Sequence, residues 1–213
     1  SASLVGSEMC IRDRFNPPHN GHLRLIETFA DKLELDKVLV IPDKRPVHKI
    51  CEDLALDSDR AELCRRTFTG KNYEVSTMEI DRDTDSYMIF TVNEILSKYK
   101  DAQLFLIIGS DMFLSFHKWY KYREIMKKCT LCVMSREDED TVKALRSYAF
   151  STLHIYMPSN EANGIIISPS SPLEISSTEI RQKISAGEDV SDVLTKEAYE
   201  FIKERGMYGY AKK

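Results

Sequence analysis

Short β-branched apolar runs alternate with stretches of helical period along nearly the whole chain, and few folds other than a parallel sheet covered by helices accommodate that alternation. Strand-like runs fall at Lys37–Ile41, Tyr73–Thr77, Gln103–Ile108, Cys129–Met134 and Leu153–Tyr156. Between them, Gly21–Leu35 carries Leu23, Ile26, Phe29, Ala30 and Leu33 close to the i, i+3, i+4, i+7 stripe of an amphipathic helix. The same period predicts helices over Ser58–Phe68, Tyr87–Tyr99, Trp119–Lys127, Thr141–Tyr148, Ser177–Ser185 and Thr195–Arg205, and the acidic run Glu137–Asp140 reads as a solvated helix start. No internal repeat, low-complexity stretch or long linker interrupts the pattern, so one α/β domain over residues 1–213 is expected.

Composition narrows the function classes. With 42% hydrophobic and 30% charged residues the balance is that of a globular chain, and no run approaches the 18 apolar residues a membrane span needs. The first eleven residues lack the basic start and apolar centre of a secretory signal, so a cytoplasmic location without membrane association is expected. A net charge of −4 argues against binding duplex nucleic acid, which calls for a concentrated basic face. The five cysteines are odd in number and, apart from Cys129 and Cys132, scattered. That pair sits in an apolar run with no second pair to complete a zinc site, so buried thiols and no protein-held metal are expected.

The chemistry concentrates at two helix starts. In Phe15-Asn-Pro-Pro-His-Asn-Gly-His22, two prolines set an extended approach, Gly21 permits a tight entry, and His19 and His22 flank the beginning of a helix. Unpaired backbone amides and the positive end of the helix dipole favour an anion there, and two imidazoles add donors for phosphate oxygens. A single histidine at such a place is usually a cap or a core group. A pair three apart around a glycine, after Asn-Pro-Pro, points to phosphate handling. Late in the chain, Ile175-Ser-Ser-Thr-Glu-Ile-Arg181 is a second capped helix start, with Ser176, Ser177 and Thr178 offering amides and Arg181 one turn in, able to fork onto phosphate oxygens.

Together these two elements resemble the H-x-G-H nucleotidyltransferase superfamily, whose Rossmann-like parallel sheet with helices on both faces carries ATP phosphates on that motif. Further segments, from about Phe15 to Tyr208, resemble bacterial-type nicotinate mononucleotide adenylyltransferases: Pro42-Asp-Lys-Arg-Pro-Val-His-Lys49, Ile107-Ile-Gly-Ser-Asp-Met112 with Lys118-Trp-Tyr-Lys121, Val133-Met-Ser-Arg136, and Tyr199 to Tyr208. The resemblance implies transfer of the adenylyl group of ATP to nicotinic acid mononucleotide, with Mg²⁺ accompanying the nucleotide. It assigns catalysis to His19, His22 and Arg181. ATP binding falls to these three with Phe15, Asn16, Gly21, Gly109, Asp111, Ser176, Ser177 and Thr178. The acceptor falls to Lys44, His48, Lys49, Ser86, Tyr87, Met88, Asp111, Trp119, Tyr120 and Arg136. An aromatic face such as Trp119 can stack on a pyridine ring, Gly109 lets a ligand approach a strand end, and Asp111 can accept from ribose hydroxyls. Self-association into a homo-oligomer stays open.

The chain departs from the family pattern in three places. Met88 stands where the family has Thr, so a backbone contact survives there and a hydroxyl contact does not. Thr195-Lys196 stands where Pro-Asp often begins the last helix. Arg12 and Asp13 occupy the positions of two glycines, and side chains there are expected to crowd the path of ATP. On this basis residues 1 to about 14 read as an altered gene start rather than the family's first strand, with Leu4–Val5 or Met9–Ile11 forming a poor edge or central strand. Alternative readings are adenylyl transfer to nicotinamide mononucleotide or phosphopantetheine, and a catalytically impaired nucleotide-binding module. A dehydrogenase of the dinucleotide-binding type is disfavoured, since no G-x-G-x-x-G follows a first strand.

Overall fold

Strands buried on both faces read as continuous apolar runs, and the centre of this chain is built from four of them. The computed structural model describes residues 6–44, 54–135, 139–169 and 175–210. β1 (Ser7–Asp13), β2 (Lys37–Pro42), β4 (Gln103–Gly109) and β5 (Thr130–Ser135) are almost entirely buried, as expected where helices cover both sides of a parallel sheet. With β3 (Tyr73–Val75), β6 (Glu161–Ala162) and β7 (Ile165–Pro169) they form a seven-stranded sheet in the order β3-β2-β1-β4-β5-β7-β6. The α/β, mostly parallel architecture is the expected one.

Within the described residues, 6–11, 25–39 and 86–169 form one compact unit, and 12–24, 40–44, 54–85 and 175–210 a second. In the first, β1 pairs in parallel with β4 from Ser7↔Gln103 to Ile11↔Ile107, β4 with β5 from Phe105↔Thr130 to Gly109↔Met134, and β5 with β7 from Leu131↔Ile165. Its helices are α3 (Met88–Lys98), α4 (Ser110–Leu114), α5 (Tyr122–Lys128) and α6 (Glu139–Ser151). Of the two expected places for the N-terminal segment, edge or centre, the structure gives the centre, with Met9 and Cys10 fully buried.

Two expected elements are corrected. Leu153–Tyr156 is not a strand, because His154 takes a left-handed conformation (φ 59°) that breaks the extended run. The last pairing is instead the hairpin of β6 and β7, turned by Asn163 (φ 49°) and Gly164 (φ 80°), the Asn-Gly signature of a two-residue turn with positive φ at both positions. The helix expected from Trp119 begins only at Tyr122, since Trp119 is extended and Lys121 is left-handed.

The second unit holds the C-terminal ends of β1 and β2, β3, α2 (Asp57–Thr67), α7 (Ser177–Ser185) and α8 (Lys196–Arg205). Leu63, Ile180, Ile184, Val190, Ala198 and Ile202 form its apolar centre. Thr195 caps α8 by accepting the Ala198 N–H, and its hydroxyl donates to the Arg66 carbonyl. A helix α1 (Asn20–Leu33) starts in this unit. Among the described residues no helix is long and apolar enough to cross a membrane. Cys10, Cys64, Cys129 and Cys132 are buried free thiols, and burial pushes that of Cys129 up to about 12.

Arg60, the first residue in from the α2 start whose side chain is wholly buried, joins three segments of this unit. Nη1 donates to the Arg14 carbonyl (2.5 Å), and Nη2 to the Asp43 carbonyl (2.5 Å) and to Asp57 Oδ1 (2.7 Å). Its guanidinium thus binds the exits of β1 and β2 to the start of α2. Removing one partner of a buried pair leaves the others desolvated and unmatched, which costs about 3–5 kcal/mol. Arg60→Met is expected to lose that much stability in urea unfolding followed by circular dichroism; a loss below about 1 kcal/mol, the scale of a surface pair, would contradict this role.

Candidate active site

The approach to α1 is bound on all sides within the second unit. Phe15 is fully buried, lies edge-on to the rings of His22 (5.1 Å between centroids) and Phe68 (5.5 Å), and adopts φ 49°. Its buried ring forms a wall behind His22. The Asn16 side chain is buried as well, its Oδ1 accepting from Ala55 N–H (3.1 Å) and from the Tyr208 hydroxyl (3.0 Å).

The two histidines act first as caps. His22 Nδ1 accepts the His19 N–H (3.2 Å), an i, i+3 return like that of a capping box, and His19 Nδ1 accepts the Gly21 N–H (3.1 Å). Each bond assigns the tautomer by its own logic: a nitrogen that accepts from a backbone amide carries no proton, so in each neutral ring the proton resides on Nε2. The rings are 3.8 Å apart between centroids. Burial, the neighbouring His22 ring and, in opposition, Asp13 set His19, whose ionisation is lowered to about 3; burial lowers His22 to about 4. Two neutral imidazoles therefore present Nε2–H donors at a helix start with no acidic residue in its first turn. The capping reading is met by the two Nδ1 atoms, which leaves both Nε2–H groups outside the caps.

The second helix start is latched to the same loop. Ser177 Oγ donates to the Pro17 carbonyl (2.9 Å) and Arg181 Nη1 to the Asn16 carbonyl (3.0 Å). Ser176 caps α7 in a full capping box with Glu179: its hydroxyl accepts the Glu179 N–H, and its own N–H donates to the Glu179 carboxylate (2.7 Å). Among the described residues, the amides α7 still offers an anion are therefore those of Ser177 and Thr178, fewer than the sequence suggests. Thr178 and Arg181 line a cavity of about 830 Å³ with Ala55, Asp59, Gln182 and Tyr208.

Arg12 and Asp13 end β1. Arg12 Nε donates to both carboxylate oxygens of Glu79 (2.7 and 2.8 Å), whose side chain is wholly buried, so its stem is drawn into an ion pair. Asp43 beside them is raised by burial, against the pull of Arg12 and Arg60. Lys44, expected at the acceptor, donates to the Arg82 carbonyl.

The remaining expected residues belong to the first unit. Tyr87 and Tyr120 are half exposed with ring centroids 4.9 Å apart, and Phe90 joins them at 5.9 and 6.2 Å. Met88 is buried at the start of α3. Trp119 packs on Phe116 (5.0 Å), so the open aromatic surface is that of the tyrosines. Asp111 is exposed in the first turn of α4, and a side chain added at Gly109 would meet nothing within 4 Å. His48, Lys49 and Arg136 lie outside the described residues. Sequence reasoning missed Glu79 and Tyr208, whose partners are far away along the chain, Arg60, which joins near Asp57 to distant Asp43 and Arg14, and Phe90, whose helical spacing from Tyr87 was the available signal.

A cytidylyltransferase-like family model matches residues 14–183. Curated relatives include a probable nicotinate-nucleotide adenylyltransferase of Listeria monocytogenes, 31% identical over 92% of this chain and 93% of that protein. The chain belongs to the nicotinate-nucleotide adenylyltransferase family of cytidylyltransferase-like proteins. Another member, from Clostridium tetani, is 30% identical over 91% of this chain and 94% of its own length. The family fold extends to distant structures: a Plasmodium falciparum nicotinic acid mononucleotide adenylyltransferase complexed with NaAD superposes with a TM-score of 0.71 at 13% identity, covering 96% of this chain and 98% of that one.

The depressed histidines carry a linkage consequence. In the unfolded chain an imidazole titrates near 6.5, whereas in the fold the two titrate at about 3 and about 4. Between those limits the unfolded state binds protons that the folded state refuses, so stability is full above pH 6.5 and falls as pH drops toward 4. Each imidazole contributes a slope of at most about 1.4 kcal/mol per pH unit. Urea midpoints measured from pH 7.5 to 4.5 should fall less steeply for His22→Gln than for the parent; parallel curves would contradict a neutral, buried His22.

Proposed function

We propose that this chain transfers the adenylyl group of ATP to nicotinic acid mononucleotide, releasing pyrophosphate and giving nicotinic acid adenine dinucleotide, in the cytoplasmic synthesis of NAD. The observation that carries the reading is the latch within the second unit: the loop bearing the two Nε2–H donors is the loop whose carbonyls hold Ser177 and Arg181. A triphosphate resting on that loop is within the province of both helix starts. The names of the 30–31% identical relatives supply the acceptor.

The reaction needs no protein nucleophile. The 5′-phosphate of the mononucleotide attacks the α-phosphorus of ATP in line, the P–O bond to the β-phosphate breaks, and pyrophosphate leaves with the electron pair. Both reactants are anions, so the task of the protein is to hold them in line and to offset charge as it moves onto the leaving oxygens. The nucleotide would enter as its Mg²⁺ complex, the cation offsetting part of the phosphate charge. His19 and His22 donate from Nε2 to the α- and β-phosphates, and being neutral they do so without giving up a proton. Arg181 and the amides of Ser177 and Thr178 serve the β- and γ-phosphates. Asp111 accepts from ribose hydroxyls beside Gly109. Tyr87 and Tyr120 offer the pyridine ring its aromatic surface, and the amides near Met88 and Tyr120 hold the nicotinate carboxylate, with Ser86 and Trp119 flanking.

The test is pyrophosphate release with MgATP and, separately, nicotinic acid mononucleotide, nicotinamide mononucleotide and phosphopantetheine. The first acceptor should be used fastest, and His22→Ala should lower its kcat by about 10²-fold or more, the scale of losing one preorganised donor. Turnover in His22→Ala close to that of the parent would refute the assignment of His22. Preference for another acceptor would refute the substrate.

A further inference from the structure

At the exit of β1, the guanidiniums in ion pairs among the described residues are those of Arg12 and Arg60. Arg12 is matched by Glu79, and Arg60 by Asp57 and Asp43. Asp13 is a further carboxylate, and its place is fixed: Oδ1 accepts the Phe15 N–H (3.1 Å) and lies 3.9 Å from His22 Nε2. Because His22 Nδ1 is taken by the His19 N–H, the nitrogen facing Asp13 is the one that carries the proton. The side chain is 48% exposed, so it stands at the mouth of the loop rather than in the core.

We infer that the Asp13 carboxylate is a built-in antagonist of the nucleotide at His22: at 3.9 Å it lies beyond hydrogen-bond reach of Nε2–H, yet close enough that a triphosphate accepting there must bear its repulsion. This rests on the phosphate reading of His22 given above and adds to it a residue that sets nucleotide affinity. The sign is opposite to that of every other side chain assigned to the site. It also separates the two departures at this strand end, since the charge of Arg12 is matched by Glu79 while the Asp13 carboxylate accepts the Phe15 N–H and stands 3.9 Å from the imidazole.

The experiment is calorimetric titration of ATP, with and without Mg²⁺ and without acceptor, into the parent chain, Asp13→Asn, Asp13→Ser and His22→Ala. Asparagine and serine both keep an oxygen that can accept the Phe15 N–H while removing the charge. Asp13→Asn and Asp13→Ser should bind ATP about tenfold more tightly than the parent, as expected when a like charge at short range is removed near a solvent-exposed surface. The gap should narrow as salt is raised from about 50 mM to about 500 mM, because screening acts on the charge and not on the shape of the side chain. Unchanged or weaker ATP binding by both variants, with His22→Ala weakened as expected, would overturn the inference while leaving the phosphate reading intact. Weakening confined to the titrations with Mg²⁺ would overturn it in favour of Asp13 as a ligand of the nucleotide's metal. ATP binding in His22→Ala as tight as in the parent would overturn the phosphate reading and this inference together.

Discussion

Everything assigned to the nucleotide depends on one loop being held still, and Asn16 holds it. Its side-chain oxygen takes the Ala55 amide and the Tyr208 hydroxyl, and its carbonyl takes Arg181, so segments distant along the chain meet on one residue. A helix start binds an anion well only if its amides and side-chain donors are already pointed, because a loop that must be ordered on binding spends part of the interaction on that ordering. Here the ordering is done in the free protein. The wall of Phe15 and Phe68 completes it by excluding water from one side of His22.

The histidine pair shows how one side chain serves structure and chemistry together. Each Nδ1 satisfies a backbone amide that the first turn of α1 leaves without an intrahelical partner, and in doing so places the proton on Nε2. Burial keeps both rings neutral. A charged imidazole would attract phosphate more strongly, but its Nδ1 would then be a donor and the cap would be lost. The fold therefore trades charge for fixed geometry at this helix start.

Much of this was legible before any coordinates. The periodicity located β2, β4, β5 and α7 to within a residue or two, because buried parallel strands and capped helices are written in local runs. The His19–His22 helix start was legible because its residues are contiguous. What escaped was of two kinds. The hairpin of β6 and β7 was hidden by a decoy, Leu153–Tyr156, whose apolar run looks extended until the left-handed His154 breaks it, although Asn163-Gly164 was a sound turn signal. Arg60 and the Arg12–Glu79 pair escaped for a different reason: a buried charge is meaningful only through its partners, and although Asp57 is three residues from Arg60, Asp43 is 17 and the Arg14 carbonyl 46 away, while Glu79 is 67 from Arg12. For the same reason Arg12 looked like an obstruction in the sequence and proves to be part of an ion pair.

The central claim is that the two helix starts serve a single triphosphate, and a double-mutant cycle on His22→Ala and Arg181→Ala measures this directly, with kcat/KM for ATP as the readout. Residues that act through one ligand couple by about 0.5–3 kcal/mol, whereas independent sites add to within about 0.5 kcal/mol. The double variant is expected to lose less than the sum of the two single losses by at least about 1 kcal/mol, beyond that additive margin. Strict additivity would mean that His22 and Arg181 serve different ligands, and would contradict the account.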